Sequence, residues 1–247
     1  MKTKLLFLFI CLGSIGSAYG MDKDKTPHEK ILELMKNFIA STENINVLGS
    51  DGERSPLMFA ADNNYEDIVK LLLDNGANPN LQNNDGITAL MITIAHGNQD
   101  IAKLLLDNGA NPNIYSDNND TALTIAIRFN HEPIVKLLLE NGANPDYQDE
   151  SGITHLMWTV RKGSKPVVKL LLDHGADFDV KINKHGQTAL DIAKEKEDKS
   201  IIELIENEYE KRRQLVHKEV VENSCLPQDL AGIVSEYVVY PKKEKTK

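Results

Sequence analysis

Between Thr88 and Asp120 the apolar residues fall into two short clusters with a polar break between them. In "TALMITIAHG", Leu90 and Ile94 stand at helical spacing with the small Ala89 and Thr93 beside them. In "NQDIAKLLLDNG", Ile101, Leu104 and Leu105 do the same, with Leu106 expected at the periphery. Apolar positions at i, i+3 and i+4 predict two helices, each with one buried side. Thr88 is placed to cap the first helix, because its hydroxyl accepts from an otherwise unpaired amide of the first turn. Gly109 is placed to end the second, where a positive φ is wanted. An Asn-Gly pair between apolar runs also fits a two-residue hairpin. The three consecutive leucines before it do not alternate, which favours the helix end. "ANPNIYSDNND" then supplies Asn, Asp and Pro and predicts an extended loop that reverses before the next threonine.

The same pattern recurs along the chain. "KLLLDNGANPN" stands letter for letter at positions 70–80 and 103–113, followed by "KLLLENGANPD" at 136–146 and "KLLLDHGADFD" at 169–179. Gly76, Gly109, Gly142 and Gly175 mark a constant spacing of 33 residues. A period of this size predicts stacked units, each burying an apolar face against the next. Five units are expected, starting near Ser55, Thr88, Thr121, Thr154 and Thr188, with one extra residue in "KINKHG" stretching the last interval to 34. A stack needs ends. "HEKILELMKNFIAS" presents Ile31, Leu34, Met35 and Phe38 on one face and predicts an N-terminal cap. In the fifth unit Glu206 replaces the third leucine of the others (Leu73, Leu106, Leu139, Leu172), as a terminal unit requires.

These units resemble ankyrin repeats. The family's Thr-Pro-Leu-His opening appears as "SPLM", "TALM", "TALT", "THLM" and "TALD", and its Gly-Ala-Asp-Val-Asn close as "GANPN", "GANPN", "GANPD" and "GADFD". Only Pro56 keeps the motif proline. The motif histidine is missing throughout, and Pro79, Pro112 and Pro145 stand where the family has Val. The resemblance implies an all-α ankyrin-repeat solenoid of helix-turn-helix units joined by β-turn or hairpin loops, with a C-terminal helical extension. The expected boundaries are a capping helix over 21–43, repeats over 44–207, an extension over 208–240 and a basic tail over 241–247.

It also implies binding of a protein partner, of unspecified identity, on the concave face formed by loop tips and the exposed edge of the first helices. Carried over by position, the helix edges are Asp62, Asn63, Ala95, His96, Arg128, Phe129, Arg161, Lys162, Glu195 and Lys196. The loop tips are Asn84, Asp85, Ile87, Tyr115, Asp117, Asn118, Asp120, Glu150 and Ile153. Among them Phe129 with Arg128, Arg161 and Lys162 joins an aromatic anchor to positive charge and suggests an acidic or mixed segment as partner. A solvated face with Phe129 tucked against its neighbour is the competing reading. Trp158 falls where a buried leucine is usual and is expected in the core. His131 occupies a position of structural use in the family, at the start of a second helix.

Composition narrows the function. The chain has 247 residues, 41% hydrophobic and 26% charged, with a net charge of −9. That charge argues against nucleic acid as a partner, since phosphate contacts need concentrated Lys and Arg. There is no zinc-binding histidine pair, phosphate loop or nucleophile elbow, so neither catalysis nor a cofactor is expected. Lys2 and Lys4, an apolar run over residues 5–12 and the small-residue exit Ser17-Ala18-Tyr19-Gly20 predict a signal peptide over 1–20. The run is too short to span a bilayer, so no stable membrane insertion is expected after cleavage. Cleavage near Gly20 would take the charge from −9 to −11 and leave Cys225 alone, without an intrachain disulfide. An exported or periplasmic monomer, and an effector acting in another cell, are the expectations; a start at Met21 would make the protein cytosolic.

In the extension, Leu226, Leu230, Ile233, Val234 and Tyr237 share one helical face after Ser224, a start signal near Pro227. "LPQDLAGIVSEYV" is similar to the opening helix of F-box-like segments, which implies recruitment of a ubiquitin ligase through Leu226, Pro227, Leu230, Ile233 and Tyr237. An amphipathic helix folded over the last repeat is the other reading.

Overall fold

A computed structural model describes residues 25–42, 44–49, 52, 54–149, 151–180 and 186–223. The predicted leader, Glu150, His185, Cys225, the F-box-like residues Leu226, Pro227, Leu230, Ile233 and Tyr237, and the basic tail lie outside them. Among the described residues there are eleven helices and no strand, with one isolated antiparallel bridge between Gln148 and Thr154. The chain divides into two compact units at Pro145/Asp146.

The first unit opens with α1 (Pro27–Ser41). Three helix pairs follow: α2 (Pro56–Asp62) with α3 (Glu66–Asp74), α4 (Ala89–Ala95) with α5 (Gln99–Asp107), and α6 (Ala122–Arg128) with α7 (Glu132–Glu140). First helices pack on first helices (α2 on α4, α4 on α6), second on second (α3 on α5, α5 on α7), and α1 covers α3. The second unit holds α8 (His155–Lys162) with α9 (Lys165–Asp173) and α10 (Ala189–Glu195) with α11 (Lys199–Asn223), paired in the same way.

Seven or nine residues do not make a stable helix alone, so caps and burial carry each one. Ser55, Thr88, Thr121, Thr154 and Thr188 are the N-caps of the first helices, each accepting from an amide three residues on. Such a cap contributes about 1 kcal/mol. Each first helix ends in a left-handed residue: Asn64, Gly97, Asn130, Gly163 and Glu197. The following amide then reaches back to the helix, as Asn98 N does to Thr93 O at 3.1 Å.

The second helices close on the repeated Asn-Gly-Ala. In α5 the Ala110 amide bonds Leu105 O at 3.0 Å and the Gly109 amide bonds Leu106 O at 3.0 Å, with Gly109 at φ +84. This double closure is the Schellman arrangement. The buried side of α5 is Ile101, Ala102, Leu105 and Leu106, while Leu104 is half-exposed. That reverses the expected order of Leu104 and Leu106. The helix is covered by α3 on one side and α7 on the other, so its apolar stripe is set by two neighbours rather than one.

Between repeats the loops are joined by asparagine. Asn80 Oδ1 accepts from the Asn111 amide at 2.7 Å while its Nδ2 donates to Gly109 O at 2.9 Å. Asn113 does the same to Asn144 and Gly142, at 2.8 and 2.9 Å. In the second unit Asp146 accepts from the Asp177 amide at 2.7 Å. These side chains set the register of one repeat on the next.

The last rung is closed differently. Asp179 accepts from the Tyr209 hydroxyl of α11. Beside it the buried Phe178 meets the Tyr209 ring at 4.2 Å and the Arg212 guanidinium at 4.3 Å, and Arg212 donates to Ala176 O at 3.0 Å. Helix α11 therefore runs without a break through Asn207, where the repeats were expected to stop, and its stretch from Glu208 to Arg212 seals the final loop. Asp198 starts that helix by accepting from the Ser200 hydroxyl (2.8 Å) and the Ile201 amide (3.1 Å), which hold its carboxyl below the usual carboxylate value. Glu206 is exposed and lies 3.5 Å from Lys194, consistent with a terminal position.

Two outcomes are expected from this frame. Asn113→Ala removes an acceptor and a donor and should lower stability by about 1–3 kcal/mol in urea titrations, whereas Asn113→Asp, which retains the acceptor, should cost less. Glu197 is the one left-handed helix end without Gly or Asn, and a left-handed L-residue costs about 1–2 kcal/mol. Glu197→Gly should therefore raise the melting temperature, and a fall would contradict the strain.

Candidate partner-binding surface

The two fully described loops, residues 77–87 and 110–120, fold into fingers whose tips are tight turns. In the first unit Asn83 N bonds Ile87 O at 3.0 Å and Ser116 N bonds Asp120 O at 2.9 Å. Neighbouring fingers are joined by backbone, Asn84 N to Gly52 O at 3.1 Å and Asp117 N to Asp85 O at 3.0 Å. Asp117 and Asn118 stand exposed at the third tip. Tyr115 at its base is 48% exposed, and its carbonyl accepts from Gln82 at 2.9 Å.

Before three of the five N-caps, at Arg54, Asp120 and Gln187, a polar side chain lies alongside the first helix and reaches its last turn, eight residues on. A seven-residue helix is only about 10 Å long, so one extended side chain spans it. Asp120 and Arg128 use this reach in a two-point pair, with Nη1 to Oδ2 at 2.9 Å and Nη2 to Oδ1 at 2.5 Å. Arg54 and Asp62 form a single-contact pair in the reverse order, Nη1 to Oδ2 at 2.8 Å, and Asp62 also meets His96 Nε2 at 2.9 Å from the next repeat. In the second unit Gln187 donates to Glu195 at 2.5 Å.

Arg128 is thus paired with the acid that closes the preceding loop, an engagement not foreseen in the expected basic cluster. Phe129 beside it is 54% exposed, and its ring stacks on His131 with 6.0 Å between centroids. His131 in turn fills the space at Gly97, where an added Cβ would lie 2.9 Å from its ring. The structural use expected of His131 is what its position serves.

In the second unit the expected core tryptophan is a surface residue. Trp158 is 39% exposed, although at the matching positions Phe59, Ile125 and Ile192 are buried and Ile92 is half-buried. An indole is too large for that slot, and Lys162 one turn later lies over its ring at 4.8 Å. Arg161 is exposed on the same helix, its carbonyl accepting from Lys196 Nζ at 2.5 Å. Three cations and the tryptophan therefore share the end of α8 and the neighbouring end of α10. His155 is buried, with its ring 5.3 Å from Tyr147.

Arg128 and Phe129 belong to the first unit, and Arg161 and Lys162 to the second. The positions that sequence alone did not flag are Trp158 and the Asp120 partner of Arg128. The second was visible as complementary residues eight apart (Arg54 and Asp62, Asp120 and Arg128). Among the described residues no group of three or more His, Cys, Asp or Glu side chains could hold a metal ion, and no helix is long and apolar enough to cross a membrane.

Capped helix pairs, left-handed helix ends, fingers and an asparagine-linked register define a class: repeat proteins that present fingers and first-helix edges for protein recognition. The family model for ankyrin repeats matches in three stretches, residues 27–83, 57–149 and 141–214, and the chain belongs to the ankyrin-repeat proteins. No curated protein matches it.

Exposed ion pairs contribute about 0–1 kcal/mol. Asp120→Ala should therefore change stability by no more than about that amount while releasing the Arg128 guanidinium. A loss several times larger in urea titration would mean that the pair holds the finger to the helix.

Proposed function

We propose that the protein binds a protein partner non-covalently through its fingers and first-helix edges, and that the second unit takes an acidic segment carrying apolar side chains. The ankyrin-repeat frame supports the scaffold role. The observation that carries the partner chemistry is Trp158, exposed beside Arg161, Lys162 and Lys196 on a chain of net charge −9. Tryptophan and arginine are the side chains that most often dominate interface energies, and a local positive patch selects negative partners by complementarity. Export, and with it an effector role in another cell, forms part of the proposal and rests on the leader pattern of residues 1–20. Sequencing the N-terminus of protein recovered from culture medium tests that part: a start near Met21 supports it, and a retained Met1 opposes it.

Trp158 is the only tryptophan, so intrinsic fluorescence reports from the patch itself. Titration with a twelve-residue peptide alternating Glu and Leu should shift its emission saturably, and a Lys-Leu peptide of equal length should not. Arg161→Glu should weaken the acidic peptide about tenfold or more. Equal response to both peptides, or to neither, would remove the acidic reading.

A further inference from the structure

Three of the four second helices that end at a repeated loop finish on the same dipeptide: Asn75-Gly76, Asn108-Gly109 and Asn141-Gly142. All six residues are exposed. Asparagine followed by glycine is the pair most open to spontaneous deamidation, because no side chain on the glycine hinders ring closure. The glycine nitrogen, on losing its proton, attacks Asn Cγ. The Cγ–Nδ2 bond breaks, ammonia leaves and a five-membered imide forms. Water then opens the imide at either carbonyl, giving aspartate or its β-linked isomer. Only water is consumed.

The fold opposes the first step at every atom involved. Each asparagine amide donates to the carbonyl four residues back: Asn75 to Leu71, Asn108 to Leu104 and Asn141 to Leu137, all at 2.8 Å. Each attacking nitrogen is committed to the helix, Gly76 to Leu73 O, Gly109 to Leu106 O and Gly142 to Leu139 O, at 3.0–3.1 Å. The asparagine ψ values of 16, 22 and 22 hold that nitrogen near the plane of the preceding turn and away from Cγ. Solvent reaches all three pairs, so any protection must come from geometry rather than burial.

We propose that the Asn-Gly helix ends at 75, 108 and 141 are modification sites closed by folding and opened by unfolding, so that each excursion to the unfolded state risks a change that impairs return. An aspartate at the cap cannot donate to the leucine carbonyl, and it places a negative charge at the negative end of the helix. The β-linked product lengthens the main chain by one carbon, and the paired closures of the following glycine and alanine no longer meet. Chemical alteration of the unfolded chain is one route to irreversible unfolding. The fourth repeat escapes it: His174 stands at that position and holds Leu170 O through Nδ1 at 2.9 Å, with the same backbone angles and no carboxamide to lose.

The test incubates the full chain at mildly alkaline pH, folded in buffer and unfolded in urea, and follows the three peptides by mass spectrometry. If ring closure occurs only from the opened helix end, the folded rate is the unfolded rate scaled by the opening equilibrium, about tenfold or more slower. Equal rates in the two states would overturn the proposal. In the second arm the urea-incubated chain is diluted back, and the recovered helical signal should fall in step with conversion. The variant Asn75→His, Asn108→His, Asn141→His should recover fully after the same incubation, whereas the same loss in this variant would assign irreversibility to another cause. Should that triple variant fail to fold, Asn108→His alone serves: peptides 75 and 141 still read the folded-to-unfolded ratio, which decides the proposal.

Discussion

Among the described residues no helix before α11 exceeds fifteen residues, and the first helices of the repeats have only seven or eight. None would persist in water unaided, since nucleation outweighs propagation at that length. Burial by a neighbouring repeat is therefore the constraint on which the rest depends. Leu72, Leu105 and Leu138 in the first unit and Leu171 in the second are fully buried. Each contributes about 2 kcal/mol relative to exposure. A repeat contacts only its neighbours, so stability accumulates pairwise and the register between neighbours matters as much as the packing within each. The asparagine rungs specify that register: Asn80 and Asn113 bond two backbone groups of the following loop and tolerate no slip.

Much of this was legible before any coordinates. A 33-residue period fixes the architecture because each copy must satisfy the same burial, and the threonine caps and glycine ends are local chemistry that reads directly from residue type. What was not legible depends on which neighbour lies on which side. Leu104 and Leu106 exchange roles because α5 is flanked twice, and periodicity along one helix carries no information about that. Trp158 was expected inside because its position is apolar in other repeats. Volume decides otherwise, since the slot that buries Ile125 and Ile192 leaves an indole partly outside.

The surface was half legible for a similar reason. Of the positions selected by place within the repeat, Phe129 and Tyr115 are exposed, whereas Asp62, Ile87, Asp120 and Ile153 are half-buried. Position does not say whether a charge is already spoken for. Arg128 looks like an anchor in one dimension, yet Asp120 holds both of its terminal nitrogens. The exposed aromatic with unanticipated company is Trp158 in the second unit, with Lys162 over its ring. A constant frame makes such departures informative: where every repeat offers the same slot, a side chain too large for it marks the surface of that repeat.

The fourth loop follows the same logic. Pro79, Pro112 and Pro145 stand in loops followed by another repeat loop, and Phe178 takes their place in the loop before the fifth repeat. Among the described residues Asp179 is met by the Tyr209 hydroxyl, and Phe178 contacts the Tyr209 ring and the Arg212 guanidinium. A proline there would offer α11 no aromatic face, and the helix beyond Ile205 would lose its main purchase. Helix α11 outlasts its counterparts, and Tyr209 and Arg212 in its added turns cover the fourth loop. The point where the repeat motif breaks in the sequence is thus the point where the structure changes the way it closes.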